Sequence, residues 1–373
     1  MVRLNQSFAR TCKEDMCFCD FRINIYGCQN EKLFYISIST LIPIYIIIST
    51  LALTNLYYLI KVKRQDLFLP KLRERGLLRP RPLHTFHVLV ILNTLSQTIH
   101  NSLLLSESYA NITLAELGHS FPYALLGSFA AILAISFVYS TPSIEIEDNI
   151  DLNSLPNKKL LDVIGFTLAV QPFWTWFPLS ILTGIHADLD DTTFASKLFT
   201  AQYSAWAIWC CLYLFSLCFI WRRLDLVIKY QIKELKNRLR NGSDNELERL
   251  ERGRRNICFP MSCIISGIMI QGVTFGFISF YYRETIIFKF KFGIIYFIVW
   301  YCAYPTIELL AECVLLYNTI SLHKNYMCQS TLPSHRSAES DLTIKDSNND
   351  NVTSLDQQPS LQLDRQKSDM PLV

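Results

Sequence analysis

The chain has 373 residues, of which 50% are hydrophobic and 18% are charged, and its formal net charge is +3. Soluble globular domains average about 25% charged residues. The composition therefore argues against an ordinary soluble domain and favours a membrane protein.

The apolar residues are concentrated in seven runs, each long enough to cross about 30 Å of hydrocarbon as a helix of roughly 20 residues. Polar residues and prolines interrupt the second and fourth runs, but we count both as spanning. The predicted fold is an all-α integral membrane protein, a seven-transmembrane helix bundle within residues 34–320. The runs cover residues 34–60, 83–105, 118–140, 161–184, 198–221, 257–281 and 292–319.

The distribution of lysine and arginine predicts the orientation of the bundle. If the N-terminus is outside, 26 of the 35 basic residues fall on the inner side and 9 on the outer side. Basic loops are retained on the cytoplasmic side. We therefore expect the N-terminus outside and the C-terminus inside, in a multi-pass protein of the plasma membrane.

Four asparagine sequons fall on the two sides of this layout. Asn5 and Asn111 lie on the outer side, where glycosylation is possible. Asn241 and Asn351 lie on the inner side and are expected to stay unmodified. Only Asn5 and Asn111 are therefore predicted glycosylation sites.

Residues 1–33 form a predicted extracellular arm that contains four cysteines. An oxidising compartment would pair them in one of three connectivities. The alternative is a zinc site, but the spacing C-x4-C-x-C-x8-C matches no established ligand pattern, and an outer location disfavours zinc. We expect disulfide bonds among Cys12, Cys17, Cys19 and Cys28.

Residues 222–256 are predicted to form a basic helical hairpin in the cytoplasm. Asn241-Gly242 breaks the chain, and Ser243 with Glu246 forms a capping box that starts the second helix. Upstream of the break, apolar residues at helical spacing mark one face of the first helix. They are Leu224, Ile228, Ile232, Leu235 and Leu239.

Residues 321–373 form a predicted cytoplasmic tail rich in serine and threonine. Such a segment buries too little apolar surface to fold alone, so we expect it to be disordered. Cys328 follows the last run by about nine residues, a position compatible with palmitoylation. A buried free thiol is the alternative.

Two glutamates, Glu308 and Glu312, lie one helical turn apart inside the seventh run. Ionisable side chains are costly in lipid and usually face the interior of a bundle. Counting about 1.5 Å per residue from the inner boundary places Glu308 level with Asn93 of the second run. Glu312 lies closer to the inner, cytoplasmic boundary, level with Asn55 and His87. Desolvation favours a neutral Glu308 that donates a hydrogen bond to Asn93.

Three interpretations of these acids remain open: attachment of one helix to another, a conformational switch, and an ion or proton path. Pro305 precedes the acids and marks a point where the helix could bend. The candidate switch residues are Asn55, His87, Asn93, Pro305, Glu308 and Glu312.

A second polar group lies in the outer half of the predicted bundle. Aromatic side chains with a few polar anchors are typical of a small-molecule site, although tryptophan and tyrosine also mark membrane interfaces. The candidate ligand-binding residues are Gln97, His100, Asn101, Trp174, Gln202, Trp206, Gln271, Trp300 and Tyr301.

Enzymatic chemistry finds little support in the sequence. His84-x-x-His87 has a metal-compatible spacing, but no further ligand lies at the same level, so we expect a structural role. Phosphate-binding loops, nucleophile elbows and HExxH motifs are absent from the sequence. No enzyme activity, cofactor or metal site is predicted.

The seven runs, outer N-terminus, cysteine-containing arm, basic hairpin and serine-rich tail resemble the layout of G-protein-coupled receptors. Asn55 looks like the first-helix asparagine of the rhodopsin-like class, and Asn93 stands where its second-helix acid would be. Tyr304-Pro305 looks like a changed Asn-Pro, with Glu308 where a tyrosine would follow.

Other positions depart from the rhodopsin-like class. Val138-Tyr139-Ser140 lacks the acid–arginine pair at the end of the third helix, and the sixth run lacks the tryptophan–proline pair. The disulfide between the third helix and the second outer loop cannot form, and the seventh run has no lysine for retinal. The resemblance implies a divergent receptor outside that class, fungal-type or lineage-specific.

The sequence thus predicts a cell-surface receptor that senses an extracellular ligand and signals through G proteins. The expected partners are membrane lipid, a heterotrimeric G protein and an unknown small-molecule or peptide ligand; no nucleic acid is expected. The alternatives are an ion channel or proton-coupled transporter using the two glutamates, a chemoreceptor channel with its N-terminus inside, and a membrane enzyme using His84 and His87.

Overall fold

The computed structural model describes residues 4, 7–13, 16–71, 76–77, 79–140, 158–238 and 244–330. Within these residues seven helices are long and apolar enough to cross a membrane, which confirms the predicted seven-helix, all-α layout. Helices satisfy their backbone hydrogen bonds internally, as lipid requires. They are α1 Glu31–Tyr57, α2 Pro82–Leu105, α3 Ile112–Ser140, α4 Lys158–Asp188, α5 Thr192–Arg238, α6 Asp244–Tyr281 and α7 Phe290–Ser330.

The chain divides into two units, residues 1–317 with Val373 and residues 318–372. The first unit contains the arm and almost all of the helices. In the second unit, the described residues are the last turns of α7. The predicted disordered tail covered residues 321–373, but residues 321–330 are helical and belong to α7. Residues 331–373 lie outside the described residues, as do Asn5, Asn241, Ser243 and Asn351.

Short π-helical turns follow two of the spanning helices, Tyr58–Val62 after α1 and Tyr282–Ile286 after α6. Consecutive helices from α1 to α6 pack as neighbours, with α3 also contacting α5. Tyr304 of α7 donates a hydrogen bond to the Gly267 carbonyl of α6, at 2.9 Å. α7 is therefore fastened to α6 through side chain and backbone.

The hairpin region at 222–256 is formed by the extensions of α5 and α6. Asp225 of α5 forms an ion pair with Arg254 of α6 at 2.8 Å. Lys236 of α5 lies 3.7 Å from Glu251 of α6. Leu224 on the predicted apolar face is buried. The two extensions thus contact each other beyond the spanning portion.

The N-terminal arm is packed into one end of the bundle, which we call the arm end. Strands β1 Arg10–Lys13 and β2 Met16–Cys19 form an antiparallel hairpin with Cys12 opposite Cys17. The structure joins Cys12 to Cys17 and Cys19 to Cys28, one of the three connectivities expected. Apolar side chains of the arm are buried against the helices; they are Phe8, Phe21, Ile23 and Ile25.

Candidate functional site

Glu312 of α7 contacts side chains of both α1 and α2. Its side chain is fully buried, and its Oε2 accepts a hydrogen bond from the Asn55 amide at 2.7 Å. The Nδ1 of His87 lies 2.9 Å from Oε1 of the same carboxyl. The expected alternatives for Glu312 were Asn55 or His87, and the structure brings it to both.

Glu308 forms the second level of contact, between α7 and α2. Its Oε1 accepts a hydrogen bond from the Asn93 amide at 2.7 Å, while Oε2 is buried and has no hydrogen-bond partner. The sequence predicted this pairing with Glu308 as the donor, whereas in this structure the Asn93 amide nitrogen is the donor.

These contacts follow from helical geometry. Glu308 and Glu312 are separated by four residues, so they lie on one face of α7, about 6 Å apart along its axis. Pro305 is buried inside the same helix, one turn before Glu308. We call Asn55, His87, Asn93, Glu308 and Glu312 the latch.

His84, the other half of the histidine pair, is buried but does not join the latch. Among the described residues, no side chain of the latch lies within hydrogen-bond distance of its ring nitrogens. The two histidines therefore have different surroundings, because His87 contacts Glu312 and His84 does not.

Trp174 is not part of the outer aromatic group. Its side chain is 76% exposed on α4, whereas Trp176 is 2% exposed. Residues two apart on a helix are separated by about 200° around its axis, so the two tryptophans cannot both face the interior. The expectation for Trp174 was wrong, and Trp176 occupies the inward position.

Trp206 and Trp300, the other two predicted tryptophans, pack on aromatic rings outside the predicted set. The ring centroids of Trp176 and Trp206 are 4.3 Å apart, and those of Trp300 and Phe275 are 4.9 Å apart. Two pockets at the arm end are lined by none of the nine predicted ligand-binding residues. Trp206 and Trp300 thus pack against neighbouring rings and both contact Phe275.

The polar anchors of this group are buried, but they face different neighbours. Gln202 of α5 donates to Ser120 of α3 at 3.2 Å, and Ser120 lies 3.0 Å from Ser180 of α4. His100 of α2 contacts the hydroxyl of Tyr109 at 2.7 Å. Buried polar atoms without a partner are found on Asn101, Gln202, Trp206, Gln271 and Tyr301. Gln97 is also buried.

An ion cluster at the arm end was not predicted from the sequence. Arg22 of the arm is fully buried, with its Nη2 2.9 Å and its Nη1 3.3 Å from the two oxygens of Glu116 on α3. Its Nε and Nη2 lie 2.9 and 2.6 Å from the two oxygens of Asp20. The guanidinium is therefore held by two carboxylates, each through two hydrogen bonds.

Aromatic rings and a second arginine complete this cluster. The guanidinium carbon of Arg22 lies 4.6 Å from the ring centroid of Phe199, within the range of cation–π attraction. Arg22 also donates to the Tyr203 hydroxyl at 2.7 Å. On the other side, the Tyr282 hydroxyl donates to Asp20 at 2.7 Å, and Arg283 lies 3.6 Å from the same carboxylate.

The electrostatics of the cluster favour the charged guanidinium. Burial alone lowers the pKa of Arg22, but the negative charges of Asp20 and Glu116 outweigh burial and raise the pKa well above its ordinary value. Arg22 is therefore cationic at any physiological pH. Asp20, Arg22, Glu116 and Arg283 balance as two negative and two positive charges, and we call them the arm-end cluster.

The sequence carried only a weak signal of this cluster. Phe21, Ile23 and Ile25 alternate with Arg22 and Asn24 between two bonded cysteines, a pattern that indicates a buried apolar face. The partner Glu116 is 94 residues away in the chain, and no local spacing connects the two.

The predicted modification sites remain untested by these contacts. Asn111 is half-buried, and its side-chain oxygen accepts from the backbone of Leu114 at 2.9 Å, at the start of α3. Cys328 lies in α7, and the surroundings of its side chain are outside the described part of the chain.

Comparisons with protein-family models, with curated proteins and with solved structures find no match to this chain. Its function is therefore argued from the latch and the arm-end cluster.

Proposed function

We propose that this protein is a seven-helix receptor that senses a ligand at the arm end and activates a G protein at the opposite end. In this proposal the arm end is extracellular, and the basic extensions of α5 and α6 contact the G protein. The latch holds the resting arrangement of the helices.

The observation that carries the proposal is the pair of contacts made by α7. Glu312 binds Asn55 and His87, and Glu308 binds Asn93, so α7 is fastened to α1 and α2 at two levels. Bonds of this kind break together when one helix shifts against its neighbours. Packed helix interfaces shift between discrete arrangements and do not deform continuously, which suits a switch.

The test measures ligand-independent G-protein activation in cells that express the full chain. Glu312→Ala removes the acceptor for Asn55 and His87, and we expect a higher basal signal at equal surface expression. Each 1.4 kcal/mol taken from the resting state shifts the equilibrium about tenfold. Cys313→Ala is the matched control because Cys313 is exposed on the same helix.

Replacing residues 222–256 by a neutral helical hairpin should abolish the signal of Glu312→Ala. The receptor proposal fails if neither wild type nor Glu312→Ala activates any G protein while both reach the cell surface. It also fails if replacement of the hairpin leaves an elevated signal unchanged.

One observation favours a second candidate function, a channel or proton-coupled transporter. The Oε2 of Glu308 is buried and has no hydrogen-bond partner among the described residues, and ionisable groups inside a membrane bundle often mark ion or proton pathways. Purified protein in vesicles would then pass current or solute at low pH, and Glu308→Gln and Glu312→Gln would both abolish the flux. Absence of flux in the wild type rules this candidate out.

A further inference from the structure

The arm-end cluster is divided between two parts of the molecule with complementary charges. The arm contributes one acid and one cation, Asp20 and Arg22. The helical bundle contributes an acid on α3, Glu116, and a cation beyond α6, Arg283. Each arm charge faces the opposite bundle charge, at 2.9 Å for Arg22 with Glu116 and 3.6 Å for Asp20 with Arg283.

The bundle side has the chemistry of a binding site. Glu116 presents both carboxylate oxygens to one guanidinium, a geometry selective for arginine-like groups. Phe199 lies against that guanidinium. The Tyr203 hydroxyl accepts a hydrogen bond from the guanidinium, and the Tyr282 hydroxyl donates one to the carboxylate of Asp20. A ligand with one guanidinium and one carboxylate would meet the same partners.

A buried ion cluster would stabilise the attachment of the arm little more than apolar side chains do. Buried ion pairs repay little more than their desolvation, and apolar side chains of similar volume hold as well or better. The arm already buries Phe8, Phe21, Ile23 and Ile25 against the helices. The charges therefore add selectivity to a contact that apolar packing already supplies.

We infer that Glu116, Arg283, Phe199, Tyr203 and Tyr282 form a binding site for ligands carrying a guanidinium and a carboxylate, and that Asp20 and Arg22 of the arm occupy this site in the resting protein. An external ligand with the same pair of groups displaces the arm. The inference names the ligand class of the proposed receptor, and it rests on that proposal only for the signal that follows binding.

The probe is a capped pentapeptide of sequence Asp-Phe-Arg-Ile-Asn, which copies residues 20–24. It is measured on purified full-length protein by a direct binding assay. The receiving variant is the double substitution Asp20→Ala with Arg22→Ala, which removes the two arm charges that compete for the site and leaves one acid and one cation on the bundle. Asp20→Asn with Arg22→Gln, which removes both charges but keeps polar side chains at both positions, serves if the double alanine variant does not fold.

We expect saturable binding of the peptide to the double variant and binding at least about tenfold weaker to wild type, because a tethered occupant competes at high effective concentration. The charge-matched controls are peptides with citrulline in place of arginine, and with asparagine in place of aspartate. Each control should bind at least tenfold more weakly.

Two further variants assign the contacts. In the double-variant background, Glu116→Gln should remove the preference for arginine over citrulline, and Arg283→Met should remove the preference for aspartate over asparagine. The inference is overturned if the folded double variant does not bind the peptide, or if the citrulline peptide binds equally well. Binding without G-protein activation would instead contradict only the receptor proposal.

Discussion

Glu116 and Glu312 are both fully buried acids, but their partners differ in kind. Glu116 at the arm end faces the guanidinium of Arg22, a permanent cation. Glu312 in the latch faces the amide of Asn55 and the imidazole of His87, groups that form hydrogen bonds without a fixed charge. Loss of one member of a buried ion pair is strongly destabilising, whereas a hydrogen bond to an amide or imidazole group is lost at a smaller cost. The arm end is therefore suited to recognition, and the latch to switching.

The largest expected effect of a single substitution is at the arm end. Arg22→Met leaves two buried carboxylates with only Arg283 nearby, and removing one member of a buried ion pair costs about 3–5 kcal/mol. Thermal unfolding of the purified protein should show this loss. Lys32→Met, at an exposed position of α1, is the control and should have almost no effect. Equal unfolding temperatures for the two variants would contradict the contrast drawn above.

The disulfide that encloses Arg22 should contribute more than its neighbour. Cys19 and Cys28 are separated by 9 positions and Cys12 and Cys17 by 5, and the longer loop restricts the unfolded chain more. We expect Cys19→Ser with Cys28→Ser to cost about 2–4 kcal/mol, and the other pair of substitutions to cost less. The two double variants are compared by denaturant unfolding. A larger loss for Cys12→Ser with Cys17→Ser would show that the constraint on Arg22 is unimportant.

In the latch, shape should matter more than charge. Glu312→Ala strands the amide of Asn55 and the ring nitrogen of His87, at a cost of about 1–3 kcal/mol for each buried group. Glu312→Gln retains an acceptor for Asn55 and a hydrogen-bonding atom for His87, so its loss should be clearly smaller. Both variants are measured by thermal unfolding against wild type. If glutamine costs as much as alanine, the negative charge of Glu312 is essential and the contrast with Glu116 disappears.

The smallest effect is expected at Glu308. Glu308→Gln keeps the oxygen that accepts from Asn93, so stability should change by less than about 1 kcal/mol and G-protein signalling should be retained. Surface expression and signalling are measured in the same cells. A large loss of signalling with normal surface expression would show that the charge of Glu308 is required.

The pairing of Glu308 with Asn93 and of Glu312 with Asn55 and His87 could be predicted because depth in a spanning helix is linear in residue number. Counting from a shared boundary gives the level of each side chain. The same count says nothing about rotation around the axis, which is why Trp174 was assigned to the interior although its side chain faces outward. Arg22 and Glu116 could not be paired, because they are brought together only by the packing of the arm into the bundle.

The arm's two disulfides also imply an order of events during synthesis. All four bonded cysteines lie within the first 28 residues, whereas Glu116 follows Arg22 by 94 residues. In the proposed orientation the arm can therefore be oxidised before α3 enters the membrane. Arg22 then meets Glu116 only when α3 is inserted, and we expect an arm with other cysteine pairings to place Arg22 where it misses this carboxylate.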